Sequence, residues 1–396
     1  MESLNLRRPF DPVAHDLDPA FRLTKFSDLK GCGCKVPQSV LGRLLGDIFT
    51  EPANEEESNF QNIFMSQSHN KAQRLGMMGL TECSVVQLKQ ADLCLLQSSD
   101  YLYPLIDDPY MMGMIVCASV LNDLYATGIT DCDSIEMMLG LSSRITTKER
   151  DIIAPLIIRG FKDAAESAGC SVQGGSTVVN PWMLLGGIAS TVISKSSIIM
   201  PYNAMVSDVL VLTKPLGTHI ACTANQWMND DREKWSKIKV VLSKEDAERG
   251  FQRAMSSMAR LNKTAAMVMR QYNAHGATDV AGYGLLGAAQ SLVKSQTNEV
   301  DFVIHNLPVI AKMNSVNKVV GNVFNLNQGQ TPETSGGLLI VFPREDGASF
   351  AKKMEQIDGL QSWIVGVVQK GTRTARVIDK PRVIEVPMKD KSDSLW

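Results

Sequence analysis

The chain has 396 residues, of which 44% are hydrophobic and 21% charged, with a formal net charge of −2. That length can bury a sizeable core in two or three domains, and so balanced a charge gives no general pull toward nucleic acid or an anionic membrane. No apolar run approaches the roughly twenty residues that span a bilayer, the amino terminus lacks the apolar stretch of a secretory leader, and eight cysteines, mostly inside apolar runs, read as reduced thiols of a cytoplasmic protein.

Taken in order, residues 1–22 mix charge, Pro and Asp without periodicity and predict an irregular arm. FSDLKGCGCKVPQ follows, where glycines bracket two cysteines and a lysine; it predicts a mobile loop. A short helix is expected over 38–49, then a polar connector from 51 to about 74. The apolar run at 93–96 predicts a strand that delivers Ser98, Ser99 and Asp100 at its end. Residues 111–127 predict a helix with Gly128 just past its end, and 150–168 a second one stopped by Gly169. CSVQGGSTVVNPW reads as strand, glycine turn, strand, and 183–193 as a buried strand. Met200 to Asp208 marks a boundary, after which a strand at 208–217 opens a second unit. Helices are expected at 245–273 and 285–294, and strands at 301–305, 336–343 and 363–369. Strands and helices mix without a βαβ rhythm, so the fold class is α+β.

Three local patterns can carry chemistry. In Lys30-Gly31-Cys32-Gly33-Cys34-Lys35 the glycines would expose the Cys32 thiol, and Lys35 would stabilise a thiolate or pair with phosphate; the plainer alternative is a flexible loop with incidental cysteines. Zinc is disfavoured, because no second close Cys/His pair exists. Carboxylates cluster in the first unit at Glu82, Asp92, Asp100, Asp107, Asp108, Asp123, Asp131 and Asp133. Asp123 lies inside an apolar helix, where a metal or cation would relieve its burial, unless it sits on a solvated edge. Gly174-Gly175-Ser176-Thr177 could present N–H groups and hydroxyls to a phosphate, or merely connect strands. Gly282 to Gly287 matches GxGxxG, but no apolar strand precedes it and no βαβ unit surrounds it, so it reads as the opening of a helix.

Together these segments resemble the selenophosphate synthetases of the PurM-like (aminoimidazole-ribotide-synthetase-like) superfamily, closest to the eukaryotic members. The matching text is KGCGCK (30–35), SSDYLYP (98–104), DDPYMMG (107–113), SVLNDLYATG (119–128), GGSTVVNPW (174–182), TKPLGT (213–218), GATDVAGYGLLG (276–287) and TPETSGGLL (331–339), in family order over most of the chain. The resemblance implies a PurM-like two-domain fold: a flexible arm with the Cys/Lys loop over 1–75, a ferredoxin-like α+β domain over 76–200 that forms a dimeric β-barrel interface, and an α/β domain over 205–390. It implies ATP, selenide and water as substrates, with selenophosphate, AMP and orthophosphate as products. It places Cys32 at the reactive Cys/Sec position and Lys35 on phosphate. Leu80, Thr81, Glu82, Asp100, Asp123 and Gly174, Gly175, Ser176 and Thr177 would bind ATP, while Glu82, Asp123 and Asp279 would hold several Mg²⁺ ions, with K⁺ a further candidate ion. A homodimer is implied, with a selenium-delivery protein as a candidate partner and neither nucleic acid nor membrane. Glu82 stands where the family has Asp, which leaves an ATP-binding, non-catalytic or regulatory paralogue as the alternative. Another ATP-using superfamily member is the third reading, and the Gly-Cys-Gly-Cys-Lys loop argues against it.

Overall fold

The computed structural model describes residues 10–37, 40, 43–44, 83–90 and 92–388. The first unit runs β1 (Cys83–Gln87), β2 (Leu93–Leu102), α1 (Pro109–Ala126), β3 (Ser134–Ser142), α2 (Thr147–Ser167), β4 (Val172–Asn180) and β5 (Leu184–Ser194). Its sheet has the order β1-β2-β5-β3-β4, antiparallel except for the β3–β4 pair. The second unit contains β6 (Val209–Leu212), α3 (Thr218–Asp230), α4 (Arg232–Ile238), α5 (Lys244–Ala259), α6 (Lys263–Met269), β7 (Gly276–Asp279), α7 (Gly284–Lys294) and β8 (Val300–Ile310). It continues through α8 (Met313–Val319), β9 (Leu338–Phe342), α9 (Arg344–Asp358), β10 (Trp363–Lys370) and β11 (Ala375–Val386), giving a sheet of order β11-β8-β10-β6-β9-β7.

Helix α1 joins the two units. Asp108 starts it by accepting the Met111 N–H at 3.0 Å, Pro109 supplies a first residue that needs no donor, and Gly128, at φ +79°, follows its end. Nearly every residue of α1 is buried, because it packs on β2, β5 and α2 on one side and on α5, α6 and β7 on the other. Its crossing with α2 needs two glycines. A Cβ on Gly113 would stand 2.0 Å from the Ile157 carbonyl oxygen, and one on Gly160 1.9 Å from that of Tyr110.

Strand alternation decides what faces α1. On β2 the buried positions are Cys94, Leu96, Ser98, Asp100 and Leu102, while Gln97, Ser99 and Tyr101 are exposed. The opposite face of the sheet shows Val86, Tyr101, Met138, Val178 and Val192 to solvent. The sheet is open, with β1 and β4 as its two edges, so one chain alone does not close a barrel. Among the described residues no helix is long and apolar enough to cross a membrane.

Several expectations need correction. β2 does not end before Ser98: pairing with β5 carries it to Leu102, opposite Leu185. Residues 174–177 form no turn, because parallel pairing with β3 runs straight through them from Gly174 opposite Glu136 to Thr177 opposite Leu139. The long helix over 245–273 is two helices, broken at Arg260 to Asn262. The loop around Cys32 is packed rather than loose: Gly31 bridges to Tyr103, and Met183 N–H donates to Phe26 O at 2.9 Å. Most of the helix expected at 38–49, and all of the connector at 51–74, lie outside the described residues.

Candidate active site

The site starts from a match of two periodicities. Two residues along a strand advance about 6.8 Å, and four along a helix about 6 Å. Ser98 and Asp100 on β2 therefore meet Asp123 and Ser119 on α1 as two rungs. Ser98 Oγ lies 2.9 Å from Val120 O and 3.1 Å from Asp123 Oδ2, and Ser119 Oγ donates to Asp100 Oδ2 at 2.6 Å. Both acids are buried. The solvated-edge alternative for Asp123 is thereby removed.

The Cys32 loop covers the second rung. Cys32 Sγ lies 3.9 Å from Ser119 Oγ, and Lys35 Nζ 3.9 Å from Asp100 Oδ1. The expectation of an exposed thiol beside a stabilising lysine is overturned, for Cys32 is fully buried. Burial first, and then the negative charge of Asp100, hold its thiol well above the usual range, while Lys35 pulls the other way. In this arrangement the thiol is neutral. Cys34 is half-buried and turned aside, its Sγ bonded to Gly31 O at 3.3 Å, and burial raises it too.

The second unit brings Asp279, buried at the end of β7, a strand packed against α1. Lys214 is fully buried nearby and donates to Arg260 O at 2.6 Å and Ser335 O at 2.8 Å. Burial pushes it well below the ordinary lysine range, and the charge of Asp279 opposes that. Asn262 ties the units together, donating to Asn122 Oδ1 at 2.9 Å and Gly336 O at 2.8 Å. Glu333 caps α3, accepting from the N–H groups of Gly217 at 2.6 Å and Thr218 at 3.1 Å and from the Thr218 hydroxyl.

Thus Cys32, Lys35, Asp100 and Asp123 gather around β2 and α1, and α1 rests on the strand that carries Asp279. Gly174, Gly175, Ser176 and Thr177 do not join them: they lie exposed on β4, three strands away from β2. Leu80, Thr81 and Glu82 lie outside the described residues, and Cys83, which follows Glu82 in sequence, pairs with Ser98. Among the described residues no three His, Cys, Asp or Glu side chains cluster as a metal site. Other acids of the cluster have structural work. Asp107 accepts from the Thr24 N–H and hydroxyl, Asp108 caps α1 and holds the Phe10 N–H, and Asp133 accepts the Val192 N–H at 2.8 Å. Sequence reading delivered Ser98 at the end of its strand without a role, and singled out none of Ser119, Thr334, Tyr283 and Lys214. The one usable signal was Ser119 standing four residues before Asp123 in a largely apolar helix.

Comparison with known proteins identifies the family. The AIR synthase related protein N-terminal domain matches residues 81–193, and the C-terminal domain of the same family matches 206–379. Selenide, water dikinase 2 of Mus musculus is 50% identical over 394 residues, covering 96% of this chain and 86% of that protein. The chain belongs to the selenide, water dikinase family. Within that family, selenide, water dikinase 3 of Danio rerio is 49% identical, with 95% and 88% of the two chains covered, and the probable selenide, water dikinase of Caenorhabditis elegans is 40% identical, with 96% and 97% covered. Among solved structures, AaThiL complexed with AMPPCP and TMP superposes with a TM-score of 0.58 at 16% identity, covering 84% of this chain and 97% of its own. Hydrogenase maturation protein HypE in complex with ATP gives 0.54 at 14% identity, covering 81% and 88%. At such identities these structures establish the PurM-like fold alone.

Proposed function

We propose that this chain catalyses the reaction of its family: ATP, selenide and water give selenophosphate, AMP and orthophosphate. One observation carries the reading. The Cys32 thiol and the Lys35 amine both converge on the Asp100–Ser119 pair at the junction of the two units. Phosphoryl transfer demands little covalent chemistry from a protein; it demands charge neutralisation and an aligned nucleophile. Lys35 would meet phosphate, with its neighbour Asp100 holding it in position. Cys32 is the group that would handle selenium, enclosed away from water.

Asp123 and Asp279 are hard oxygen donors, both buried, on elements that pack together. That chemistry fits Mg²⁺, which takes a few carboxylates and lets phosphate oxygens and water complete its octahedron. Glu82 would be the third carboxylate, and K⁺ a further candidate ion. When bound, such ions would neutralise the triphosphate charge. Ser98 keeps Asp123 oriented through its hydroxyl, and Lys214 offsets the charge of Asp279.

The nucleotide residues on β4 point to a second copy. β4 is an edge strand that exposes Val179 (78%) and Val178 (55%), and the outward face of the same sheet exposes Tyr101 (55%). A homodimer closing the two open sheets into a barrel would cover these side chains and bring Gly174 to Thr177 of one copy toward the site of the other. Incubation with ATP, Mg²⁺ and selenide under anaerobic conditions, followed by ³¹P NMR, tests the activity. Selenide-dependent AMP and selenophosphate are expected. Nucleotide binding without turnover would instead mark a regulatory paralogue.

A further inference from the structure

Two glycine-containing loops of the second unit, 280–284 and 331–337, are stitched into one surface. Val280 N–H donates to Gly337 O at 2.9 Å and Glu333 N–H to Ala281 O at 3.0 Å. A Cβ on Gly336 would stand 2.1 Å from the Val280 carbonyl oxygen, so the loops touch backbone to backbone. The Cys32 loop lies on this surface. Cys32 N–H donates to Thr334 Oγ1 at 3.1 Å, across 302 positions of sequence. Tyr283 Oη donates to Val36 O at 2.6 Å. Gly282 has no room for a side chain, since its Cβ would stand 2.1 Å from Cys32 O. On the other side the first unit holds the loop, through the Gly31–Tyr103 bridge and the Lys35–Asp100 ion pair.

The residue after Thr334 shows that this surface has a required shape. Ser335 adopts φ +46°, in the left-handed region that a side chain disfavours, and it is fully buried. Among the described residues its hydroxyl has no hydrogen-bond partner. A strained residue with a buried orphan hydroxyl costs stability, and such costs concentrate where a loop must hold one geometry for function. The fully buried Lys214 amine fixes the Ser335 carbonyl at 2.8 Å.

We propose that Gly282, Tyr283 and Thr334 are positioning residues. They form a seat on the second unit that draws the Cys32 loop across the junction and sets its thiol beside Ser119 and Asp100. This explains the GxGxxG text at 282–287 without a dinucleotide: its first glycine admits the Cys32 backbone, and its tyrosine clasps the loop two residues beyond Cys34. The seat is continuous with β7, so the strand that carries Asp279 also carries the surface on which the loop closes.

The importance of that closure for turnover rests on the selenide reading of Cys32; the closure itself does not. The test therefore reads the loop directly. Full-length protein, reduced and without ligands, is treated with iodoacetamide, and carboxamidomethylation of Cys32 is followed by peptide mass spectrometry. Wild-type Cys32 should react slowly. Thr334→Val and Tyr283→Phe, each removing one hydrogen bond, should speed it roughly fivefold, and Gly282→Ala by at least about tenfold, because the added methyl meets backbone. Thr334→Ser keeps the hydroxyl and should restore the wild-type rate. In the selenide assay the same variants should lose kcat while their KM for ATP stays within about twofold. Unchanged alkylation in Gly282→Ala overturns the seat, as does Thr334→Ser behaving like Thr334→Val. Faster alkylation in a protein that never makes selenophosphate would keep the seat and discard the selenide reading.

Discussion

The two faces of the five-stranded sheet are built to opposite rules. The face toward α1 is closed: Ser98 and Asp100 are buried, each meets a polar partner on the helix, and the Cys32 loop seals the rung at Ser119. The opposite face and the β4 edge are open, with Gly174 to Thr177 exposed and Val178 and Val179 bare beside them. A buried polar group is tolerated only when paired, and an exposed apolar edge persists only when something covers it. On the function proposed above, one chain assembles the half of a site that would hold metal and thiol, and leaves the half that would cradle phosphate turned outward.

The strongest way to break this division is to remove its centre. Cys32→Ser should abolish selenide-dependent AMP formation, a loss of at least about a thousandfold, with nucleotide affinity near wild type, because the hydroxyl keeps the loop packing but not the sulfur chemistry. Equal loss of nucleotide binding, measured by calorimetry, would mean that the residue is structural.

The open half allows a sharper test. Among the described residues nothing lies within 4 Å of a Cβ on Gly174, so Gly174→Glu should leave the chain's fold intact while setting a negative charge toward phosphate. Activity should fall about a hundredfold. If the halves come from different copies, mixing refolded Cys32→Ser and Gly174→Glu chains must restore activity. Random pairing makes half of the dimers mixed, and one site of two in each is intact, so about a quarter of wild-type turnover should return. No recovery would place both halves in the same copy.

A smaller effect probes the closed half alone. Asp123→Asn keeps an acceptor for Ser98 and should leave thermal stability within a few degrees of wild type. It should still raise the Mg²⁺ concentration needed for half-maximal activity about tenfold or more. A variant that melts early with unaltered Mg²⁺ dependence would reduce Asp123 to a packing role.

What the sequence told in advance follows the same division. α1, α2 and their glycine stops were legible because apolar runs of that length with a Gly beyond them have few other readings. Cys32, Lys35, Asp100, Asp123 and Asp279 were singled out by residue type and by resemblance. Their surroundings were not legible. Cys32 looked exposed because glycines flank it, yet contacts with Thr334, 302 positions away, bury it. Gly174 to Thr177 looked like a turn because glycine and serine favour one, and pairing with β3 overrode that preference. Local propensity cannot see a partner strand or a loop arriving from the other unit.

pH separates the two halves most gently. β4 carries no ionisable side chain, so the outward half should be indifferent to pH. The seat beneath the Cys32 loop is not, because Glu333 adjoins Thr334 and is fully buried. Desolvation lifts its carboxyl from 4.5 to about 7, only partly offset by the Thr218 hydroxyl and the two N–H donors at the start of α3. A folded-state pKa above the unfolded one means that the stabilising contribution is complete below 4.5 and is lost as pH rises through about 7. That contribution is on the order of 3 kcal/mol. Glu333→Gln retains an acceptor but cannot ionise, so denaturant unfolding should show wild type losing stability relative to the variant between about pH 5 and 8.5. A wild-type-minus-variant difference that stays flat across that range would mean that the α3 amides hold Glu333 as a carboxylate throughout, and that the seat beneath Cys32 does not respond to pH.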